Sequence, residues 1–125
     1  MATFVLVHGG GHGGWCYQKL ARLLHAAGQV VYTPTLTGCG ERSHLVSSAI
    51  DLDLHINDVV QTLVYENLTD VILAGHSYGG MVITGVADRA HERIRRLVYL
   101  DAAHPRNGDS LNDLAPEQMA FARHT

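Results

Sequence analysis

From Val71 to Ala90 the chain reads VILAGHSYGGMVITGVADRA, an apolar run, a cluster of small residues and a second, longer apolar run. The first run has the length and β-branched content of a strand buried on both faces, and the second has helix length. A sharp strand-to-helix turn is the connection that fits between them, and strand followed at once by helix is the start of a β-α-β unit. The rest of the chain repeats the alternation. Thr3 to Val7 is another continuous apolar run. In WCYQKLARLLHAAG the residues Leu20, Leu23, Leu24 and Ala27 fall on one helical stripe, with Gly28 as the stop. QVVYTP reads as a second strand halted by Pro34, and TLTGCGERSHLVSSAI as a loop. A second helix runs from Asp51 with Leu52, Ile56, Val59, Val60 and Leu63 on one face. RRLVYLDA is a fourth strand, and Pro116 in the tail suits the first turn of a helix.

Strands alternating with helices predict the α/β class: one parallel, doubly wound sheet of about four strands with helices on both faces. Right-handed crossovers give the spatial order second, first, third, fourth strand. The winding reverses between the first and third strands, and ligands bind at such a switch point, outside the carboxyl ends of the strands. Two loops flank it: HGGGHGG after the first strand and GHSYGG after the third.

Composition narrows the function. A chain of 125 residues, 46% hydrophobic and 17% charged, suits one domain with a packed core. A net charge of −3 supplies no basic face for nucleic acid. No apolar run approaches the roughly 20 residues of a membrane span. MATFVLVHGG lacks the charged and apolar regions of a signal peptide. The two cysteines, Cys16 and Cys39, fit no metal spacing. The expected setting is cytoplasmic, with a small molecule as the partner, no membrane and no nucleic acid.

Gly75, Ser77 and Gly79 form G-x-S-x-G between a strand and a helix, a turn in which small neighbours let one serine oxygen project as a nucleophile. That choice decides the glycine loop. Gly9, Gly11 and Gly14 match the dinucleotide pattern G-x-G-x-x-G, which also wants an acidic residue about 20 positions further on. The corresponding stretch is VVYTPTLTG, and the first acid, Glu41, comes only in the loop beyond. Acyl transfer instead needs backbone N–H donors aimed at an oxyanion, one from the loop after the neighbouring strand and one from the residue after the nucleophile. Those donors are Gly10 and Tyr78. Among the nine histidines, His8 is expected to anchor the glycine loop and His76 lies inside the elbow. Glycines between His8 and His12 prevent a regular helix that would converge both rings on a metal. His25, His55 and His91 read as solvated or internally satisfied helix residues. Arg42 and His44 read as loop residues at the site end of the sheet, with substrate contact as the alternative.

The stretches FVLVHGGGHGGWCYQKLARLLHAAG, VILAGHSYGGMV and RLVYLDAAHP resemble the α/β-hydrolase family, in particular the cofactor-free esterase branch of plant methyl-ester hydrolases and hydroxynitrile lyases. The resemblance covers Thr3 to about Pro105. It implies a carboxylic-ester hydrolase with an acyl-serine intermediate on Ser77, an oxyanion hole at Gly10 and Tyr78, and neither cofactor nor metal. Lyase members carry a threonine where this chain has Gly9, so the sequence departs from them toward ester hydrolysis. In this family the catalytic acid and histidine follow the serine in that order. Asp101 and His104 have the order, but two intervening residues hardly separate an acid from the base it orients. The expectation is therefore an N-terminal half, cut before the cap and the later strands. The C-terminal half as a separate chain, or a second copy, would be its protein partner. The competing expectations are a non-catalytic fragment or pseudo-hydrolase binding a small apolar ligand, and a cofactor-free lyase on the same fold.

Overall fold

The computed structural model describes residues 1–100, so the candidates Asp101 and His104 and the expected turn at Pro116 lie outside the described residues. Four strands, β1 (Thr3–Val7), β2 (Val30–Tyr32), β3 (Val71–His76) and β4 (Ile94–Leu100), form one sheet in the order β2-β1-β3-β4. All three pairings are parallel: Val5 stands opposite Tyr32 and Leu73, and Leu73 opposite Leu97. The strand order and the switch point between β1 and β3 are as the alternation predicts.

Two long helices cover one face. α2 (Leu52–Tyr65) and α3 (Gly79–Ala90) pack Ile56, Val59, Leu63, Val82, Ile83 and Val86 against Val5, Val7 and Leu73. Burying each such side chain contributes about 1.5–3 kcal/mol, which makes this layer the core. α2 starts where its cap dictates: the Asp51 carboxylate accepts from the Leu54 N–H at 2.9 Å. At its end the Leu68 N–H reaches the Leu63 carbonyl at 2.9 Å while Asn67 takes a left-handed φ of 51°. The Arg93 guanidinium donates to the carbonyls of Leu63 and Leu68, tying this helix end to the start of β4.

α1 (Gln18–Ala26) lies on the opposite face. Its stripe is only partly used. Tyr17, in a short 3-10 turn (Gly14–Tyr17), fills the space over Leu6 and Ala74, and of the stripe Leu24 joins that cluster. Leu20 and Leu23 remain 38% and 69% exposed. The loop after β2 contains a 3-10 segment, Gly40–Leu45, that hydrophobic periodicity does not reveal. Among the described residues no helix is long and apolar enough to cross a membrane.

Candidate active site

The turn after β3 is tight because its glycines allow nothing larger. A Cβ on Gly79 would stand 2.6 Å from the Val7 carbonyl oxygen and 2.9 Å from that of His8. A Cβ on Gly75 would stand 2.6 Å from the Gly79 carbonyl carbon and 3.0 Å from the Gly80 nitrogen. Real Cβ atoms do not approach backbone so closely, so the spacing in G-x-S-x-G reflects a strand end and a helix start in direct contact. Between them Ser77 takes φ of 55°, a left-handed conformation that costs a non-glycine residue about 1–2 kcal/mol. The turn closes with the Gly80 N–H donating to the Ser77 carbonyl at 2.9 Å. The positive end of the α3 dipole therefore lies next to Ser77.

The loop after β1 meets this elbow. Gly9 is buried, and a Cβ there would stand 3.2 Å from the Ser77 Cβ, the His76 carbonyl oxygen and His76 Nδ1. The Cβ position of Gly10 lies 3.8 Å from the Tyr78 Cβ. The fold thus brings Gly10, Ser77 and Tyr78 together from distant parts of the sequence. Neither the Gly10 nor the Tyr78 N–H meets an acceptor among the described residues. No carboxylate or imidazole bonds the Ser77 hydroxyl among them either.

His8 holds the loop in shape. It is 1% exposed; its Nε2 accepts from the Leu36 N–H at 2.9 Å, so Nδ1 carries the proton and donates to the Gly9 carbonyl at 2.8 Å. Only the neutral ring can do both. Burial lowers its pKa from the ordinary 6.5, opposed by the bond to Gly9. Stability from this group is complete above pH 6.5, the unfolded value, and is lost as pH falls through the lowered folded value. The unfolding midpoint should therefore drop on acidification below pH 6.5, and a His8→Ala variant should show a flatter profile. That variant should also lose about 2 kcal/mol at pH 8, because the buried Leu36 N–H loses its acceptor. Equal pH slopes for the two proteins would refute this role.

A second set of bonds fixes the other side of the loop. The Gly14 N–H donates to Thr35 Oγ1 at 2.8 Å, and that hydroxyl donates to Glu41 Oε2 at 2.7 Å. The hydrogen bond from Thr35 holds the Glu41 carboxyl below its usual range. The Arg42 guanidinium donates to the Thr35 carbonyl at 2.9 Å, which gives it a structural partner, whereas His44 is exposed. Of the helix histidines, His25 and His91 are exposed and His55 is buried with both ring nitrogens bonded. His12 Nδ1 lies 2.9 Å from Cys16 Sγ, and the two help to line a cavity of about 560 Å³ with Gly9 and His76. No group of three or more metal-capable side chains occurs among the described residues.

A serine in a left-handed strand-to-helix elbow, facing a histidine–glycine loop across the switch point of a parallel sheet, defines a class of α/β proteins. The chain belongs to the alpha/beta hydrolase family, whose model matches residues 4–124. It is 58% identical over 119 residues to a carbendazim hydrolyzing esterase from Nocardioides sp. (strain SG-4G), covering 95% of this chain and 49% of that protein. It is 34% identical over 122 residues to putative methylesterase 14, chloroplastic, of Arabidopsis thaliana, covering 95% of this chain and 34% of that protein. Among solved structures, an extracellular alpha/beta-hydrolase from a Paenibacillus species superposes with a TM-score of 0.85 at 33% identity, covering 98% of this chain and 50% of the other. The chain thus spans half or less of the length of these relatives.

Proposed function

We propose that the chain carries the nucleophile and oxyanion half of a carboxylic-ester hydrolase. The single observation behind this reading is Ser77, held at φ 55° between β3 and the N-terminus of α3 and beside the loop at Gly9 and Gly10. The Ser77 oxygen attacks the ester carbonyl, and the N–H groups of Gly10 and Tyr78 stabilise the oxyanion that forms. The alcohol leaves, and water then releases the acid from the acyl-serine. A general base and its orienting carboxylate come from outside residues 1–100, and no cofactor takes part. The esterase relatives support the reaction class, and the free thiols Cys16 and Cys39 fit a cytoplasmic setting.

A fluorophosphonate probe tests the reading in the full-length protein. The expected product is a covalent adduct on the peptide containing Ser77, with parallel loss of reporter-ester turnover. Turnover that survives complete labelling, or a native protein that takes up no label, would overturn it in favour of a different nucleophile or a non-catalytic module.

Gly9 carries the distinction from lyase chemistry. Its Cβ position already stands 3.2 Å from Ser77 and His76 atoms, so a threonine must push the loop away from the elbow. Outright loss of an oxyanion donor costs on the order of 3 kcal/mol, and a displaced donor costs less. Gly9→Thr should therefore lower kcat/KM for a reporter ester by about tenfold and create no cyanohydrin cleavage. Efficient cleavage of a cyanohydrin by this variant would show that the reaction type is set elsewhere.

A further inference from the structure

α2 contributes one polar side chain to the buried layer, and that side chain reaches the elbow. His55, 7% exposed, places Nε2 2.9 Å from the Thr37 carbonyl oxygen and Nδ1 2.8 Å from the Tyr78 hydroxyl. A carbonyl only accepts, so Nε2 carries the proton and Nδ1 is left with a lone pair. The Tyr78 hydroxyl is then the donor to Nδ1. Burial, and after it the nearby Cys39, Asp51 and Asp58, pushes the phenol up to about 12, so it keeps the proton it donates.

The acceptor that orients His55 is itself fixed. Asp58 accepts from the Thr37 N–H at 2.7 Å and from the Thr37 hydroxyl at 2.8 Å. A continuous path therefore runs from Asp58 through Thr37 and His55 to Tyr78. Its far end needs holding. Tyr78 is the N-cap of α3 and its side chain makes no cap hydrogen bond, so the anchor of that side chain is the hydroxyl bond to His55.

We propose that His55 is a positioning residue for ester hydrolysis: by accepting the Tyr78 hydroxyl bond it holds the Tyr78 backbone N–H in line with that of Gly10. This rests on the acyl-serine reading above. It gives the residue after the nucleophile two separate duties, with its backbone facing the reacting carbonyl and its side chain anchored to α2. The edge-on contact of the rings, with centroids 5.6 Å apart at 79°, leaves the imidazole edge toward Tyr78 and stiffens the anchor.

The test uses Tyr78→Phe, His55→Leu, the double variant and His55→Gln in the full-length protein, with kcat and KM measured separately. A misaimed donor weakens the transition state and spares ground-state binding, so each of the first two should lose about tenfold in kcat with little change in KM. The double variant should lose no more than either single one, because both break the same bond. Glutamine presents one donor and one acceptor, so His55→Gln should recover most of the kcat lost in His55→Leu. Tyr78→Phe removes one hydroxyl and keeps the ring, and it carries the test if the leucine variant does not fold. Full kcat in Tyr78→Phe, losses that multiply in the double variant, or no recovery with glutamine would each overturn the inference. If fluorophosphonate still labels Ser77 in those cases, the inference has failed and the acyl-serine reading stands. If the wild-type protein is not labelled, both fall.

Discussion

Ser77→Ala should abolish ester turnover, by a factor on the order of 10⁵–10⁶ in kcat, while leaving the fold in place. Alanine keeps the Cβ and removes only the attacking oxygen, so the packing of β3 against α3 is undisturbed. The oxyanion donors and the binding surface persist, which sets the floor of residual activity above that of water. The left-handed φ of 55° supplies a second, independent readout. Serine and alanine both bear the cost of that conformation and glycine does not, so Ser77→Gly should be about 1 kcal/mol more stable than Ser77→Ala. Chemical denaturation of the two variants measures that difference, and a reporter ester measures the activity. Turnover by Ser77→Ala near the parent rate would remove Ser77 from the chemistry. An alanine variant as stable as the glycine variant would remove the strain.

Gly79→Ala should be strongly destabilising, because its methyl group has no room at the junction of α3 with β1. The added carbon meets the Val7 and His8 carbonyl oxygens at 2.6 and 2.9 Å, and both are backbone atoms at the carboxyl end of β1. No rotamer change relieves such a contact, so the α3 N-terminus must withdraw from β1. Overpacking of this kind costs about 3 kcal/mol or more, a large part of a domain's marginal stability. The same withdrawal separates Tyr78 from Gly10. Whatever folded protein remains should therefore lose activity beyond its loss of folded population. Thermal unfolding and kcat per folded molecule separate the two effects. An unchanged unfolding midpoint would mean that the helix start is not pinned against the strand.

The sequence exposed those parts of the site that depend on neighbours along the chain. The spacing of Gly75, Ser77 and Gly79 marks the elbow because part of the crowding it relieves, that of Gly75 against Gly79 and Gly80, lies within a few positions, although Gly79 itself is pressed against the distant Val7 and His8. Strand order followed from the alternation of patterns and the handedness of crossovers. What stayed hidden depends on partners brought together by folding. Nothing near His8 announces that Leu36 will occupy its Nε2, and nothing near Gly14 announces Thr35. His55 did leave a trace. It falls three residues after Leu52 and four before Val59, inside the apolar stripe of α2, where a polar ring needs internal partners. Its partner Tyr78 lay beyond the reach of that signal. The stripe of α1 shows the converse limit: periodicity says which side of a helix is apolar, and only packing says how much of it is covered.

The pairing of Thr3 with Val71 sets the order in which this site can come into being. β1 finds β2 through a short crossover, but it meets β3 only after the intervening helices and loops have been gathered in. Parallel partners so far apart in sequence lose much chain entropy before any contact compensates, and their docking is a late event in folding. Gly10 travels with β1 and Ser77 with β3, so no early intermediate holds both. Reactivity at Ser77 consequently requires closure of the sheet's central seam. In a refolding experiment the capacity to take up a covalent serine probe should appear later than helical circular dichroism, and no earlier than protection of the β1 and β3 amides from hydrogen exchange.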